Sequence, residues 1–122
     1  MVRCAIAFKK LSDGEKATIF EVLTVVLRGS YIEDFEFQTR LGFERPELKA
    51  LIEAWPNIDD RDDESFAVWA IHNCFNEVCN GFYIPPGDWA EWFTVAKPEV
   101  ENLFVKWIEL RRSPKQPGSE TR

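Results

Sequence analysis

Apolar residues at Ile19, Val22, Leu23, Val26 and Leu27 recur at the three-and-four spacing of one helical face. Ahead of them, Ser12-Asp13-Gly14-Glu15 predicts a capping box, in which the Ser12 hydroxyl accepts the orphan amide of Glu15 and the Glu15 carboxylate reaches back. Gly29 is expected to stop this helix in the left-handed conformation. A short helix is predicted over about 35–41, ended by Gly42. Another helix is predicted to start at Pro46, whose fixed φ suits the first helical position, and to end before Pro56. A second series follows. Phe66, Ala67, Ala70, Ile71, Cys74, Phe75 and Val78 predict a helix over about 64–80, with Asp62 or Asp63 at its N-cap and Gly81 as its stop. Asp88 is expected to cap a short helix through Phe93, and Pro98 to open a last helix reaching about residue 112. Only Val2, Cys4, Ile6 and Phe8 alternate like a strand. A lone strand has no ladder partner here, so residues 1–11 are expected to form a packed arm, or an edge shared with a second copy in a homodimer.

The two series match. Residues 13–55 laid on 65–107 without a gap give nine identities: Ile19/Ile71, Val26/Val78, Gly29/Gly81, Tyr31/Tyr83, Ile32/Ile84, Pro46/Pro98, Glu47/Glu99, Leu51/Leu103 and Trp55/Trp107. Average usage would give roughly 2–3 by chance. Conservative pairs such as Val22/Cys74, Leu23/Phe75 and Leu48/Val100 fall where a core needs them. The expected fold is therefore all-α: two tandem units of long helix, short helix and helix, related by internal duplication and packed as one pseudo-two-fold domain. Unit one spans 12–56 and unit two 63–110, with a flexible basic tail over 111–122. Two helical repeats are too few for a solenoid, which needs about three to be stable. On this plan Trp55 and Trp107 close matching helices.

Composition changes the functional picture more than the fold. At 122 residues with 45% apolar content, five Trp and ten Phe, the chain can bury a core without metal or disulfide help. The net charge of −6 divides unevenly: the last twelve residues carry +3, leaving −9 on residues 1–110. Such a body repels phosphates, whose neutralisation by Lys and Arg drives nucleic-acid binding, and suits a basic protein partner. No run of about 18 apolar residues marks a membrane span. The start MVRCAIAFKK lacks a small-residue cleavage site, so a cytoplasmic location is expected. Cys4, Cys74 and Cys79 form no framework and are expected to be reduced, with Cys74 and Cys79 as small core fillers replacing Val22 and Leu27.

Residues 37–55 carry the core spacing of a helix-turn-helix, with Gly42 in the turn. The would-be recognition helix nevertheless presents Glu44, Arg45, Glu47, Lys49 and Glu53, a net negative face. The run 57–65, NIDDRDDES, fails as an EF-hand: a loop started at Asp60 puts Ser65 at its Gly position and Ile71 at its terminal Glu position. Asp59, Asp60, Asp62 and Asp63 are read instead as an acidic linker, or as a contact surface for a basic partner. His72 and Cys74 face about 160° apart on a helix, which gives neither a nucleophile with its base nor a shared metal. No catalytic residue, cofactor or metal site is assigned.

Positions alike in both units are mostly apolar or turn-forming, and so belong to the scaffold. Specialised contacts are sought where the units differ. Asn73, Asn76 and Asn80 form a stripe at i, i+3 and i+7 opposite Glu21, Thr24 and Arg28, with His72 beside Asn76. These amides either hold loops against the helix or present a hydrogen-bonding patch. Trp92 stands where the first unit has Arg40 and is the expected exposed aromatic anchor.

EFQTRLG at 36–42, Trp55-Pro56, and AIHNCFN at 70–76 followed by Gly81 resemble a group of small uncharacterised bacterial all-helical proteins. The resemblance covers about residues 35–107, and His72 departs from it where the group has a second Asn. It implies no substrate, cofactor or catalytic residue. The function expected is a non-catalytic protein-protein interaction module, of inhibitor, immunity or adaptor type, for a basic partner. The competing expectation is a DNA-binding regulator using residues 37–55.

Overall fold

The computed structural model describes residues 6–58 and 65–112. Among them the secondary structure is helical throughout, with no strand: α1 (Ile6–Lys9), α2 (Asp13–Arg28), α3 (Asp34–Leu41), α4 (Arg45–Ala54), α5 (Phe66–Asn76) running into a π-helical turn (Glu77–Gly81), α6 (Pro86–Trp92) and α7 (Lys97–Arg112). None of these helices is long and apolar enough to cross a membrane.

The apolar stripes pack as their periodicity requires. Helices α2 and α5 lie against each other at the centre. Ile19, Val22, Leu23 and Val25 of the first and Ala70, Ile71, Cys74 and Phe75 of the second lose all solvent contact. Each Val, Leu, Ile or Phe among them contributes about 1.5–3 kcal/mol on burial. Helix α4 lies on α2 and α7 on α5, whereas the short helices cross over, α3 against α5 and α6 against α2.

The same exchange appears in the polar contacts. The Asn73 amide of α5 donates to the Leu41 carbonyl at the end of α3, at 2.9 Å. The Glu21 carboxylate of α2 accepts from the Thr94 backbone N–H at 3.2 Å and from the Thr94 hydroxyl at 3.0 Å, after α6. Residue 73 matches residue 21, and residues 93–94 match 41–42, in the ungapped overlay.

Helix starts follow the sequence closely. Ser12 and Glu15 form the reciprocal capping box, at 3.1 and 2.8 Å. At α4 the Glu44 amide donates to Glu47 Oε1, and at α7 the Ala96 amide donates to Glu99 Oε1. The prolines sit one residue later than expected, because Arg45 and Lys97 take the first helical positions. Gly42 ends α3 in the left-handed region, with φ 87°.

Other expectations need correction. Gly29 is extended (φ −74°, ψ 155°) rather than left-handed. A Cβ there would lie 2.6 Å from the Tyr31 ring and 2.7 Å from the Val25 carbonyl oxygen, so crowding rather than handedness demands glycine. Gly81 does not stop an α-helix; it closes the π-helical turn, and a Cβ on it would collide with the Glu77 carboxylate. The α5 cap is Ser65, whose hydroxyl accepts from Val68 N–H at 3.4 Å, while Asp62 and Asp63 lie outside the described residues. Asp88 is the third residue of α6 and Pro85 its N-cap; the Asp88 carboxylate accepts instead from the Tyr31 hydroxyl, at 3.2 Å.

In the arm, residues 6–9 are helical and provide no edge strand for a second copy; residues 1–5 lie outside the described residues. A helical turn closes its own backbone hydrogen bonds, which an unpaired strand cannot. Helix α1 lies along α7, and the Phe8 ring meets Trp55 edge to face at 5.3 Å. Helix α7 takes in Arg111 and Arg112 from the expected tail, the rest of which (113–122) is outside the described residues. The two matched tryptophans also part company. Trp55 is the C-cap of α4 and half-buried, whereas Trp107 lies inside α7, fully buried, with an indole N–H that meets no acceptor among the described residues.

Candidate protein-interaction surface

The expected site residues do not form one exposed face. Asn73 is half-buried and its amide is engaged by the Leu41 carbonyl, the loop-holding role. His72, also half-buried, sets its ring edge against Phe104 at 5.3 Å. Asn76 and Asn80 are exposed and bonded to each other at 3.1 Å. Trp92 is half-buried rather than an exposed anchor, and its indole N–H donates to the Tyr31 hydroxyl at 3.3 Å. That hydroxyl passes its own hydrogen to Asp88, so Trp92, Tyr31 and Asp88 form a chain that fixes α6. Burial raises the Tyr31 phenol above its ordinary range, a rise that the Trp92 N–H opposes and the Asp88 carboxylate adds to. Asp59, Asp60, Asp62 and Asp63 lie outside the described residues.

The two described thiols are held in their protonated form by burial. Cys74 is fully buried and desolvation raises its pKa strongly; Cys79, half-buried, is pushed up to about 11 by burial and by Glu101. Among the described residues, no group of three or more Asp, Glu, His or Cys side chains gathers as metal ligands would.

The apolar side chains left in solvent are others. Phe35 is 79% exposed, Tyr83 68%, Val105 53% and Trp69 43%. Phe35 and Trp69 belong to one region. Phe35, Gln38, Thr39 and Gly42 follow one stripe along α3 by the i, i+3/i+4 relation, and all are exposed. Trp69 of α5 covers the Gly42 end, where a Cβ would come within 2.6 Å of its ring. Glycine at 42 thus serves two needs, a left-handed turn and the seat of an indole.

Between α3 and the start of α4 lies a groove of about 490 Å³, lined by Asp34, Phe35, Gln38, Thr39, Glu44 and Pro46 among others. Arg45 also lines it and is already engaged. Its guanidinium donates to the Leu27 and Ile32 carbonyls at 2.6 and 2.7 Å and to Asp34 at 2.8 Å, and lies 4.4 Å above the Phe37 ring. Over residues 33–53 six carboxylates stand against three basic residues. Each of those three is paired: Arg40 with Glu77 and Glu36, Arg45 with Asp34, Lys49 with Glu53. Glu33, Glu44 and Glu47 meet no basic side chain among the described residues. Sequence comparison missed Phe35, although its counterpart Gly87 was the signal: an exposed aromatic at a position that the other half leaves bare.

No protein-family model, no curated protein and no solved structure matches the chain.

Proposed function

We propose that this chain is a non-catalytic protein-interaction module whose partner is basic, of the kind an inhibitor, immunity protein or adaptor provides. The observation that carries this reading is the α3–α4 sector, where every basic side chain is already paired and three carboxylates and a large aromatic remain for a partner. A negative surface of this kind steers a cationic protein toward it and discourages polyanions. Affinity capture on the tagged chain at low salt, with elution at high salt, is the test. A basic protein released by salt is the expected result; capture of none would remove the reading.

We further propose that the scaffold is an internal duplication closed about a pseudo-two-fold axis, akin to the small bacterial all-helical proteins that its EFQTRLG and AIHNCFN segments resemble. Support comes from the reciprocal placement of the short helices and from the matched roles of Glu21 and Asn73 at the opposite turns. Superposition of the two halves in an experimental structure tests this, and unrelated helix orientations would overturn it.

The competing function is DNA recognition, favoured by one observation, the left-handed Gly42 turn between α3 and α4. Against it, Arg45 and Lys49, the basic residues of α4, are both held in ion pairs. Regulators of this class bind DNA with a steep salt slope, so absence of affinity at about 50 mM salt would dispose of it.

A further inference from the structure

Phe35 has no place in the scaffold. It is the second residue of α3, and the second residue of α6, at the matched position, is Gly87, around which a Cβ would meet nothing within 4 Å. The fold leaves that position open, whatever side chain occupies it. The other groove residues divide the same way. Phe37 and Pro46, which pack or start a helix, have Trp89 and Pro98 as counterparts. The exposed ones change character: Gln38 against Ala90, Thr39 against Glu91, Glu44 against Ala96. The groove therefore belongs to one half of the molecule and is not a by-product of how the unit is built.

Its shape and charge select an occupant. From Phe35 to Gly42 the α3 stripe rises about 10 Å, at roughly 1.5 Å per residue, which is two turns of a facing helix. Aromatic rings stand at both ends, Phe35 at one and Trp69 at the other, with the polar Gln38 and Thr39 between them. Asp34 and Glu44 stand on the groove walls, with Glu33 and Glu47 beside them in sequence. The body of a second copy, at −9 over residues 1–110, would bring a like-charged surface, and a nucleic acid would bring phosphates; both are repelled. What complements the surface is a helix with apolar side chains at i and i+7 and lysines or arginines flanking them.

We propose that the α3 stripe and the groove beside it form the docking site for a basic amphipathic helix of a partner protein, with one apolar side chain against Phe35, the next against Trp69 at the Gly42 end, and cationic side chains at Glu44 and its neighbour Glu47. This rests on the interaction-module reading and gives that partner's contact a place and a chemistry. Exposed side chains can be replaced here without disturbing the core, so the test does not depend on a fragile variant.

The probe is a fluorescein-labelled synthetic helix of Leu and Lys, titrated with the full chain at low salt and followed by anisotropy. Phe35→Ala and Glu44→Gln are each expected to weaken binding several-fold to tenfold, the scale of a central aromatic contact or a charge pair. Tyr83→Ala and Val105→Ala, exposed apolar residues outside the α3 stripe and the groove, are expected to leave it unchanged. A matching helix of Leu and Glu is expected not to bind. Equal binding by the Leu–Glu helix, binding unaltered in both groove variants, or no binding of the Leu–Lys helix would each overturn the groove. The interaction reading then stands or falls separately, on whether salt-sensitive capture from the host yields a basic partner.

Discussion

Arg40 and Glu77 lie 37 residues apart in the chain, and their side chains meet at 2.6 Å. In the overlay of the two halves, Trp92 stands in the place of Arg40 and Val25 in the place of Glu77. Val25 is fully buried, and Glu77 is 8% exposed, so a carboxylate occupies a core position of the second half. Arg40 is what makes this tolerable. It joins α3 to the π-helical turn and bonds a charge that would otherwise be stranded.

The pair is asymmetric, and so are the expected mutational effects. Arg40→Leu leaves a buried carboxylate without a partner and is expected to lower stability by about 2–3 kcal/mol. Glu77→Val leaves an arginine whose side chain is already 30% exposed and can turn to water, so the loss is smaller, about 1 kcal/mol. The double variant restores the apolar character that the other half has at these positions and is expected to recover most of the loss. Urea denaturation of the four proteins at pH 7 gives the coupling directly. Strictly additive losses would show that the ion pair contributes nothing of its own.

The two glycines on the short-helix elements predict opposite results. Gly42→Ala must hold a left-handed φ and place a Cβ 2.6 Å from the Trp69 ring. A loss of about 1–2 kcal/mol is expected from backbone handedness alone, with a Trp69 displacement added. Gly87→Ala meets open space inside α6 and is expected to be neutral or to stabilise by up to about 1 kcal/mol, because the unfolded chain loses freedom. Thermal unfolding resolves the two directions, and quenching of intrinsic tryptophan fluorescence by acrylamide reports whether Trp69 moves in Gly42→Ala.

Much of this scaffold is local chemistry, and that part is legible in the sequence. The Ser12–Glu15 box, the helix-opening prolines and the Gly42 end of α3 depend on residues within a few positions of one another. So do the buried stripes of α2 and α5. What escapes the sequence depends on distant partners. The π-helical turn ends a predicted α-helix early where Glu77 turns toward Arg40 and lies over Gly81, a relation no local window contains. Asp88 reads as a cap but is taken by Tyr31, and Trp92 reads as exposed but finds the same hydroxyl. The comparison of halves pointed to Arg40 and Trp92 as odd positions. It could not say that one answers a buried charge and the other a phenol, nor that Phe35, opposite a glycine, stands in solvent.

Acid should weaken the contact between α2 and α7. The Lys106 ammonium, 2.7 Å from Glu15, and the Ser12 amide hold the Glu15 carboxyl below its ordinary value of 4.5. A carboxyl with a depressed folded-state pKa contributes stability that is present above the unfolded value, here pH 4.5, and is lost as pH falls through the lower folded value. Lys106→Met is expected to reduce stability at pH 7 by less than about 1 kcal/mol, since the pair is partly solvated, and to shrink the difference between pH 7 and pH 3. Urea midpoints at the two pH values check this; an unchanged difference would mean that Glu15 does not sense Lys106.

The two described cysteines separate packing from chemistry. Cys79 is pushed from 9.0 up to about 11, so at neutral pH it holds about a hundredth of the thiolate that an ordinary thiol would. Cys74 is raised further and has no solvent contact. In a Cys4→Ser background, which removes the thiol outside the described residues, labelling by a disulfide reagent at pH 7 is expected to be at least about tenfold slower than for a free thiol. In denaturant both thiols should react at once. Raising the pH toward 10 should accelerate Cys79 while Cys74 remains limited by opening of the core, so the two rates diverge with pH. Equal acceleration of both would place Cys74 in contact with solvent and contradict the packing of α5 against α2. Prompt labelling at pH 7 would instead reveal an activated thiol, and with it a reason to look for chemistry on α5.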